Sequence, residues 1–97
     1  MRTVKELINP KKKVYIIMRT KEMRFRFMSD AAREGITYED GVKTTERIVD
    51  DIMVLKANGT ICFLGFAGRM KYHHNKNQSL CIDYEKYVDG ASDYSAE

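Results

Sequence analysis

Apolar and polar positions in the first fifth of the chain predict a short helix followed by a strand. Residues 3–9 suit a helix that is capped by Thr3 and ends at Asn9, because the residue before a proline avoids helical angles. Residues 13–18 are apolar almost without interruption and rich in β-branched and aromatic types. Such a run indicates an inner strand that is buried on both faces.

Residues 20–34 have two interpretations. As a helix, the segment is capped by Thr20 and ended by Gly35, although Arg24 falls on its apolar face. That face consists of Met23, Phe27, Met28, Ala31 and Ala32. As a strand, residues 23–27 alternate between apolar and charged side chains, and residues 19–22 form a hairpin turn. We favour the helix because residues 29–35 are strongly helical and end in a natural stop.

The middle of the chain contains its clearest local signal, a β-hairpin. Residues 51–56 and 60–66 are apolar runs joined by Asn58-Gly59, a pair typical of tight turns whose two central residues have positive φ. Before the hairpin, residues 36–43 predict a short extended piece that ends near the Asp40-Gly41 turn. Residues 44–50 are polar and suit one helical turn capped by Thr44 or Thr45.

The last third of the chain predicts a helix, a strand and one helical turn. Residues 68–74 suit the short helix, residues 79–83 the strand, and residues 84–88 the turn, with Asp83 as its cap. Residues 91–97 lack a packing pattern and predict a disordered acidic tail. We therefore expect one α+β domain over residues 1–90.

The order of these elements predicts a fold class. After the leading helix it reads strand, helix, strand, strand, helix, strand, which matches the ferredoxin-like β-α-β-β-α-β arrangement. Its helices would cover one face of an antiparallel sheet. A looser α+β sheet is the alternative, and neither fold implies a function.

Composition narrows the class of protein. The chain has 97 residues, 43% of them hydrophobic, and its apolar runs are too short to cross a bilayer. No signal peptide is visible at the start, so we expect a cytoplasmic protein. Cys62 and Cys81 form no C-x-x-C pair and are expected to be reduced, buried hydrophobes.

Charge is unevenly placed along the chain. Residues 1–34 carry 10 basic and 4 acidic side chains, a net of +6, whereas residues 35–97 carry 7 and 10, a net of −3. A basic half suits phosphate groups or an acidic protein, and an acidic half opposes indiscriminate nucleic-acid binding. For the triplet of residues 11–13 we favour simple solvation of the strand entrance.

No motif in the chain predicts a catalytic centre, a cofactor or a metal. Cys62, His73, His74 and Cys81 are zinc-ligand types, but their spacing matches no zinc motif. There is no G-x-S-x-G, and a thiol in an apolar strand resists ionisation. The glycine-spaced loop from Gly65 to Arg69 could hold a phosphate on its backbone amides, although it lacks both nucleotide-binding fingerprints.

Two segments interleave cations with aromatic rings, a composition that single-stranded nucleic acid prefers. They are residues 24–27 and residues 69–76. In a ferredoxin-like sheet, base-stacking rings lie on the two central strands, which here would present Tyr15 and Phe63. The rest of that RNA-binding signature is missing, and Phe63 lies in an apolar run that favours a core position.

Three stretches of the chain carry recognisable turns and caps. Glu34-Gly35 ends a helix ahead of an Asp-Gly turn, residues 58–61 read Asn-Gly-Thr-Ile, and residues 83–87 read Asp-Tyr-Glu-Lys-Tyr. Together these stretches resemble small proteins encoded by phages and mobile elements of Gram-positive bacteria. The resemblance covers about residues 13–88 and consists of turns and caps. It implies an accessory protein that binds and disables a host defence component, as anti-CRISPR proteins do.

The sequence thus leads to a non-enzymatic inhibitor that occupies the surface of a host protein or ribonucleoprotein. Buried arginine and tyrosine anchors dominate interface energetics. On that ground the predicted contact residues are Arg24, Arg26, Arg69, Lys71, Tyr72 and His73. The alternatives are an RNA- or single-stranded DNA-binding protein and a sponge for a nucleotide messenger.

Overall fold

The chain forms an α+β fold around a mixed five-stranded sheet. The computed structural model describes residues 2–11, 13–63 and 80–95. Within these residues the elements are β1 Val14–Ile17, α1 Lys21–Arg33, β2 Thr37–Tyr38, β3 Ile52–Leu55, β4 Thr60–Phe63, β5 Leu80–Asp83 and α2 Tyr84–Val88, with 3-10 turns at Lys5–Leu7 and Thr44–Glu46. The predicted helix over residues 68–74 lies outside the described residues.

Helix α1 confirms the helical interpretation of residues 20–34, and the hairpin alternative is wrong. The hydroxyl oxygen of Thr20 accepts a hydrogen bond from the Met23 N–H at 3.2 Å. At the other end Gly35 has φ +80°, and the N–H groups of Gly35 and Ile36 donate back to the Ala32 and Ala31 carbonyls. This is a Schellman motif, which satisfies the last carbonyls of the helix. Both ends of α1 are therefore encoded locally.

The β3–β4 hairpin is confirmed, but its turn differs from the predicted one. The Gly59 N–H donates to the Lys56 carbonyl at 3.0 Å, and the Lys56 N–H donates to the Thr60 carbonyl at 2.8 Å. Gly59 has φ +83°, whereas Asn58 has a negative φ. The expectation of two positive φ values is wrong, because the loop has three residues, a type I turn followed by one left-handed glycine.

The ferredoxin-like arrangement is not confirmed. The strand order is β2-β4-β3-β1-β5, with β1 parallel to β5 and β2 parallel to β4. A ferredoxin-like sheet is antiparallel throughout, and it would separate β1 from β3, which are the first two strands of the predicted arrangement. Here β1 and β3 are antiparallel neighbours, and β2 forms at the far edge of the sheet beside β4.

The sheet has two apolar faces of different character. Both helices pack on one face, where the larger core joins Ile16, Met53 and Ile61 to the buried side of α1 and α2. The opposite face carries Tyr15 and Ile17 with Val54. Residues paired in register share a face, so alternate positions of each strand serve the two cores.

The two ends of the described chain contact the helices and the sheet edge. Asp83 caps α2 as predicted, accepting from the N–H groups of Glu85 and Lys86. Residues 91–95 do not form a tail without packing, because the Tyr94 carbonyl accepts from the Asp83 N–H at 2.8 Å and Ser95 pairs with Ile82. The C-terminal segment therefore covers part of the outer edge of β5.

Candidate functional site

The structure does not bring Arg24 and Arg26 together, although both lie on α1. The Arg24 guanidinium donates to the Met18 carbonyl at 3.4 Å, whereas Arg26 Nε lies 3.7 Å from Asp30 Oδ2. Residues two positions apart on a helix are turned by about 200°. The two side chains therefore extend from different sides of α1. The other predicted contact residues, Arg69, Lys71, Tyr72 and His73, lie outside the described residues.

Asp30 joins α1 to α2 through a network that the sequence did not reveal. Its carboxylate accepts hydrogen bonds from the Tyr84 hydroxyl at 2.5 Å and from Arg33 at 2.6 Å. The Tyr84 ring also packs edge-on against Phe27, with ring centroids 5.2 Å apart. Burial and the hydrogen bond to Asp30 hold the pKa of Tyr84 well above its usual value. Tyr84 is thus a neutral donor that ties the two helices together.

Two further carboxylates of the same region bind backbone amides. Glu34 accepts from the N–H groups of Val4 and Lys5 at 2.8 and 2.9 Å. Glu6 accepts from the Thr3 N–H at 2.6 Å, and this hydrogen bond lowers the pKa of Glu6. The Glu6 N–H donates to the Thr3 hydroxyl, which completes a capping box at the first 3-10 turn. These carboxylates order the start of the chain.

Tyr87 completes this network from α2. Its hydroxyl donates to the Thr3 carbonyl at 2.5 Å, and the Arg2 guanidinium lies 5.2 Å from the centre of its ring. Burial and the negative charge of Glu6 raise the pKa of Tyr87 to about 12. We call the whole network the polar corner. It consists of Thr3, Glu6, Asp30, Glu34, Tyr84 and Tyr87.

The polar corner borders a groove with a volume of about 940 Å³. Its charged lining is balanced in sign. It consists of Arg2, Arg26 and Arg33 with Glu6, Asp30 and Glu34. A general base or nucleophile must be able to exchange its proton with a substrate, whereas these carboxylates are held by N–H and O–H donors of the fold. The main role of these side chains is therefore to stabilise the fold.

A second cluster, at the β2 edge of the sheet, is built from stacked side chains. The Tyr38 ring stacks on the Phe63 ring, with centroids 5.4 Å apart and planes 21° apart. The Arg47 guanidinium lies 4.7 Å from the centre of the Tyr38 ring, and the Tyr38 hydroxyl donates to the Arg47 carbonyl at 2.9 Å. We call these residues, with Ile48, which follows Arg47 in the chain, the edge cluster.

The edge cluster exposes apolar surface. Tyr38 is buried, but Phe63 is 40% exposed and Ile48 is 70% exposed. The expectation that Phe63 belongs to the core is therefore wrong: it lies at the end of β4, where its ring covers Tyr38 and faces outward on the other side. Scattered single apolar side chains are ordinary on protein surfaces, whereas the Phe63 ring is held in place by its stacking on Tyr38.

Electrostatics around Tyr38 connect the edge cluster to the Asp40-Gly41 turn. Arg47 donates to Asp40 at 3.0 Å, and this hydrogen bond lowers the pKa of Asp40. Burial raises the pKa of Tyr38, and Arg47 partly opposes that shift. The guanidinium therefore bridges a carboxylate and a neutral phenol, which holds the Tyr38 ring in place against Phe63.

The predicted pair of base-stacking rings does not exist in this sheet. Tyr15 pairs with Val54, which pairs with Cys62, so these three share the face opposite the helices. Phe63 pairs with Met53 and lies on the helix-bearing face. Since β3 separates β1 from β4, the two rings are neither adjacent nor on the same side.

Both cysteines lie on the face opposite the helices. They are half-buried rather than buried as expected, and neither forms a disulfide. Burial raises the pKa of the Cys62 thiol, which keeps it protonated at neutral pH although Lys56 and Lys13 partly oppose the shift. Among the described residues no group of His, Cys, Asp or Glu could hold a metal ion, and His73 and His74 lie outside them.

The comparisons with known proteins are negative. Family models, curated proteins and solved structures gave no match to this chain. None of the helices in residues 2–11, 13–63 and 80–95 is long and apolar enough to cross a membrane. The residues of the chain itself therefore carry any functional argument.

The sequence analysis missed most of the edge cluster. Tyr38, Arg47 and Ile48 come from segments that carry no strong pattern, and Phe63 was assigned to the core. One signal was available: Ile48 follows a charged residue inside a polar approach to a strand, a position where an apolar side chain has no obvious partner. The stacking itself depends on parallel pairing of β2 with β4, which no local pattern indicates.

Proposed function

We propose that this chain is a non-enzymatic binding protein and that the edge cluster is its contact with a partner protein. The observation that carries the proposal is the exposed Phe63 ring, which is stacked on buried Tyr38. Aromatic side chains are enriched among the residues that dominate binding energy.

The edge cluster is ordered before a partner binds. Phe63 is stacked on Tyr38, and Tyr38 is fixed by its hydrogen bond to Arg47 and by burial. The Phe63 side chain therefore loses little conformational freedom when a partner covers it, which favours affinity. This property distinguishes Phe63 from Phe25, which is 45% exposed on α1 beside the Lys21 ammonium group.

The charge around the edge cluster favours a protein over a nucleic acid. Residues 39–51 carry five acidic and two basic side chains, a net of −3. A phosphate backbone would be repelled there, whereas an apolar pocket with a cationic rim would be complementary. The partner we propose is a protein surface of that chemistry.

The biological consequence that we propose is inhibition of a host factor by occupation of its surface. This rests on the resemblance to small phage and mobile-element proteins, and an anti-defence role is its specific form. The predicted contact face around Arg69 to His73 lies outside the described residues and stays a prediction, as does a nucleotide-messenger site at Gly65 to Arg69.

The test is a quantitative pull-down from nuclease-treated lysates of a Gram-positive bacterium. The bait is wild-type protein, Phe63→Ser, Ile48→Ser, or the matched control Phe25→Ser, which removes an equally exposed ring from α1. We expect at least one protein to be retained by the wild type and by the control. The same protein should bind Phe63→Ser with about 30-fold weaker affinity and be lost from that bait.

Two outcomes would contradict the proposal. Equal retention by Phe63→Ser and wild type would remove the edge cluster from the interface. Retention of proteins only from a parallel lysate without nuclease would show that a nucleic acid, rather than a protein, is the partner. Far-ultraviolet circular dichroism of each variant checks that the fold is intact.

A further inference from the structure

A cluster of lysines forms where the start of β1 meets the β3–β4 turn. Val14 pairs with Leu55, so Lys13 and Lys56, each one position outside that pair, lie at the same end of neighbouring strands. Both are on the face that carries Tyr15 and Val54, since side chains alternate along a strand.

A shallow concavity brings Lys11 into the same cluster. Lys11, Lys13 and Lys56 line it together with Pro10 and Ala57, and its volume is about 270 Å³. The Lys11 N–H donates to the Asn9 side chain at 2.8 Å, which shapes the backbone that leads into Pro10. Residues 43 positions apart in the chain therefore share one surface, which we call the lysine cluster.

The charge of the lysine cluster is poorly compensated. Lys56 forms an ion pair with Glu39, but no ion pair within the described residues includes Lys11 or Lys13. Like charges opposite each other on neighbouring strands destabilise a sheet. By contrast, Arg26 and Arg33 on α1 share the Asp30 carboxylate. An anion at the lysine cluster would relieve this repulsion.

The size of the concavity indicates which part of a ligand it would recognise. At about 270 Å³ it lies below the range of about 300–1,000 Å³ that encloses a whole small molecule. Among the residues that the structure describes, no aromatic side chain lines it. Lysine ammonium groups bind phosphates as point charges, without the fixed geometry of arginine. Such a surface suits phosphate groups and is indifferent to the base attached to them.

We propose that the lysine cluster binds the phosphate groups of a nucleic-acid backbone without base selectivity. The proposal goes beyond the protein-binding function and depends on different residues. The sequence alone favours a solvated strand entrance at residues 11–13. The strand register places Lys56 beside Lys13, which makes this segment part of a larger basic surface. A free polyphosphate offers the same chemistry, and the test separates the two sources.

The test measures fluorescence anisotropy of labelled dT20 and dA20 across a salt series. The variant is Lys13→Gln/Lys56→Gln, and the control is Lys21→Gln/Lys86→Gln, which removes the same charge from exposed positions on the two helices. We expect equal affinity for both oligonucleotides and about tenfold weaker binding of the variant at low salt. The slope of log K against log salt should fall by about 1.4, the value for two phosphate contacts on a single strand.

Four results decide the proposal. An equal loss in the control variant, or no oligonucleotide binding by the wild type at low salt, overturns it. Binding of inorganic tripolyphosphate through Lys13 and Lys56, without binding of either oligonucleotide, assigns the site to a free polyphosphate and overturns the nucleic-acid source. Unchanged oligonucleotide binding by Phe63→Ser supports a site that is separate from the edge cluster, so failure of one proposal leaves the other testable.

Discussion

The polar corner and the edge cluster use the same residue types for opposite purposes. In the polar corner, Tyr84 and Tyr87 are buried and their hydroxyls donate to acceptors of the fold. In the edge cluster, Tyr38 is also buried and hydrogen-bonded, but it supports Phe63, which remains 40% exposed. Both regions are ordered by tyrosine, yet only the second presents apolar surface to solvent.

The difference separates stability from binding. Every buried side-chain nitrogen and oxygen in the described part of the chain has a hydrogen-bond partner, and the polar corner supplies many of these pairs. A region whose polar groups are paired internally has little left to offer a partner. Apolar area that the fold leaves uncovered, such as Phe63 and Ile48, is where association can still release free energy.

The largest expected effect is at Phe27, which links the core to the polar corner. Phe27 is fully buried and packs edge-on against Tyr84. Phe27→Ala should lower the free energy of unfolding by about 3–5 kcal/mol, because it removes a large ring and leaves a cavity. Urea denaturation measures the change. A loss below about 1 kcal/mol would mean that this corner is no better packed than the edge.

Tyr84→Phe tests the hydrogen bond alone. The ring and its contact with Phe27 remain, while the donor to Asp30 is lost. Because Arg33 still neutralises Asp30, we expect a loss of about 1.5 kcal/mol in the free energy of unfolding, typical of a bond to a charged acceptor. Tyr38→Phe at the edge is the parallel variant, and it should cost less because its acceptor is an uncharged carbonyl.

Alkaline pH should weaken the polar corner. Unfolded tyrosine loses its proton near pH 10, whereas the pKa of Tyr87 in the folded protein is about 12. Between pH 10 and pH 12 the unfolded chain binds fewer protons than the folded protein does. The contribution of this group to the free energy of unfolding is therefore fully present below pH 10 and declines as the pH rises towards 12. Tyr87→Phe should remove the contribution of one proton from the slope of the free energy of unfolding against pH. Urea midpoints at pH 9, 10 and 11 measure it, and an unchanged slope would contradict the assignment.

Phe63→Ala should have the smallest effect on stability. It removes a half-exposed ring whose main contact is the stacking on Tyr38, a contact worth about 1 kcal/mol. Thermal and urea denaturation measure the loss, with Phe25→Ala as the control on α1. A loss as large as that of Phe27→Ala would show that Phe63 serves the core rather than a partner.

Local signals account for the elements whose ends were predicted correctly. Thr20 and Gly35 bound α1, and Asp83 caps α2, because each acts on backbone groups within a few residues. Gly59 likewise marks the hairpin, although the turn type depends on how many residues the two strands leave unpaired.

Long-range pairing accounts for what the sequence analysis missed at the candidate sites. Arg24 and Arg26 are close in sequence but extend from different sides of one helix. Lys13 and Lys56 are distant in sequence but lie side by side through strand register. Phe63 is apolar, yet its position beside the short edge strand β2 leaves it exposed.

The sequence by itself determined the α+β class, the helix over residues 20–34, the hairpin and the cap of α2, since caps, turns and periodicity act within a few residues. Only the tertiary structure decided the strand order, the edge cluster and the lysine cluster. Strand order depends on which apolar faces pack together across the whole chain, and pairing one strand with a different neighbour leaves every local pattern unchanged.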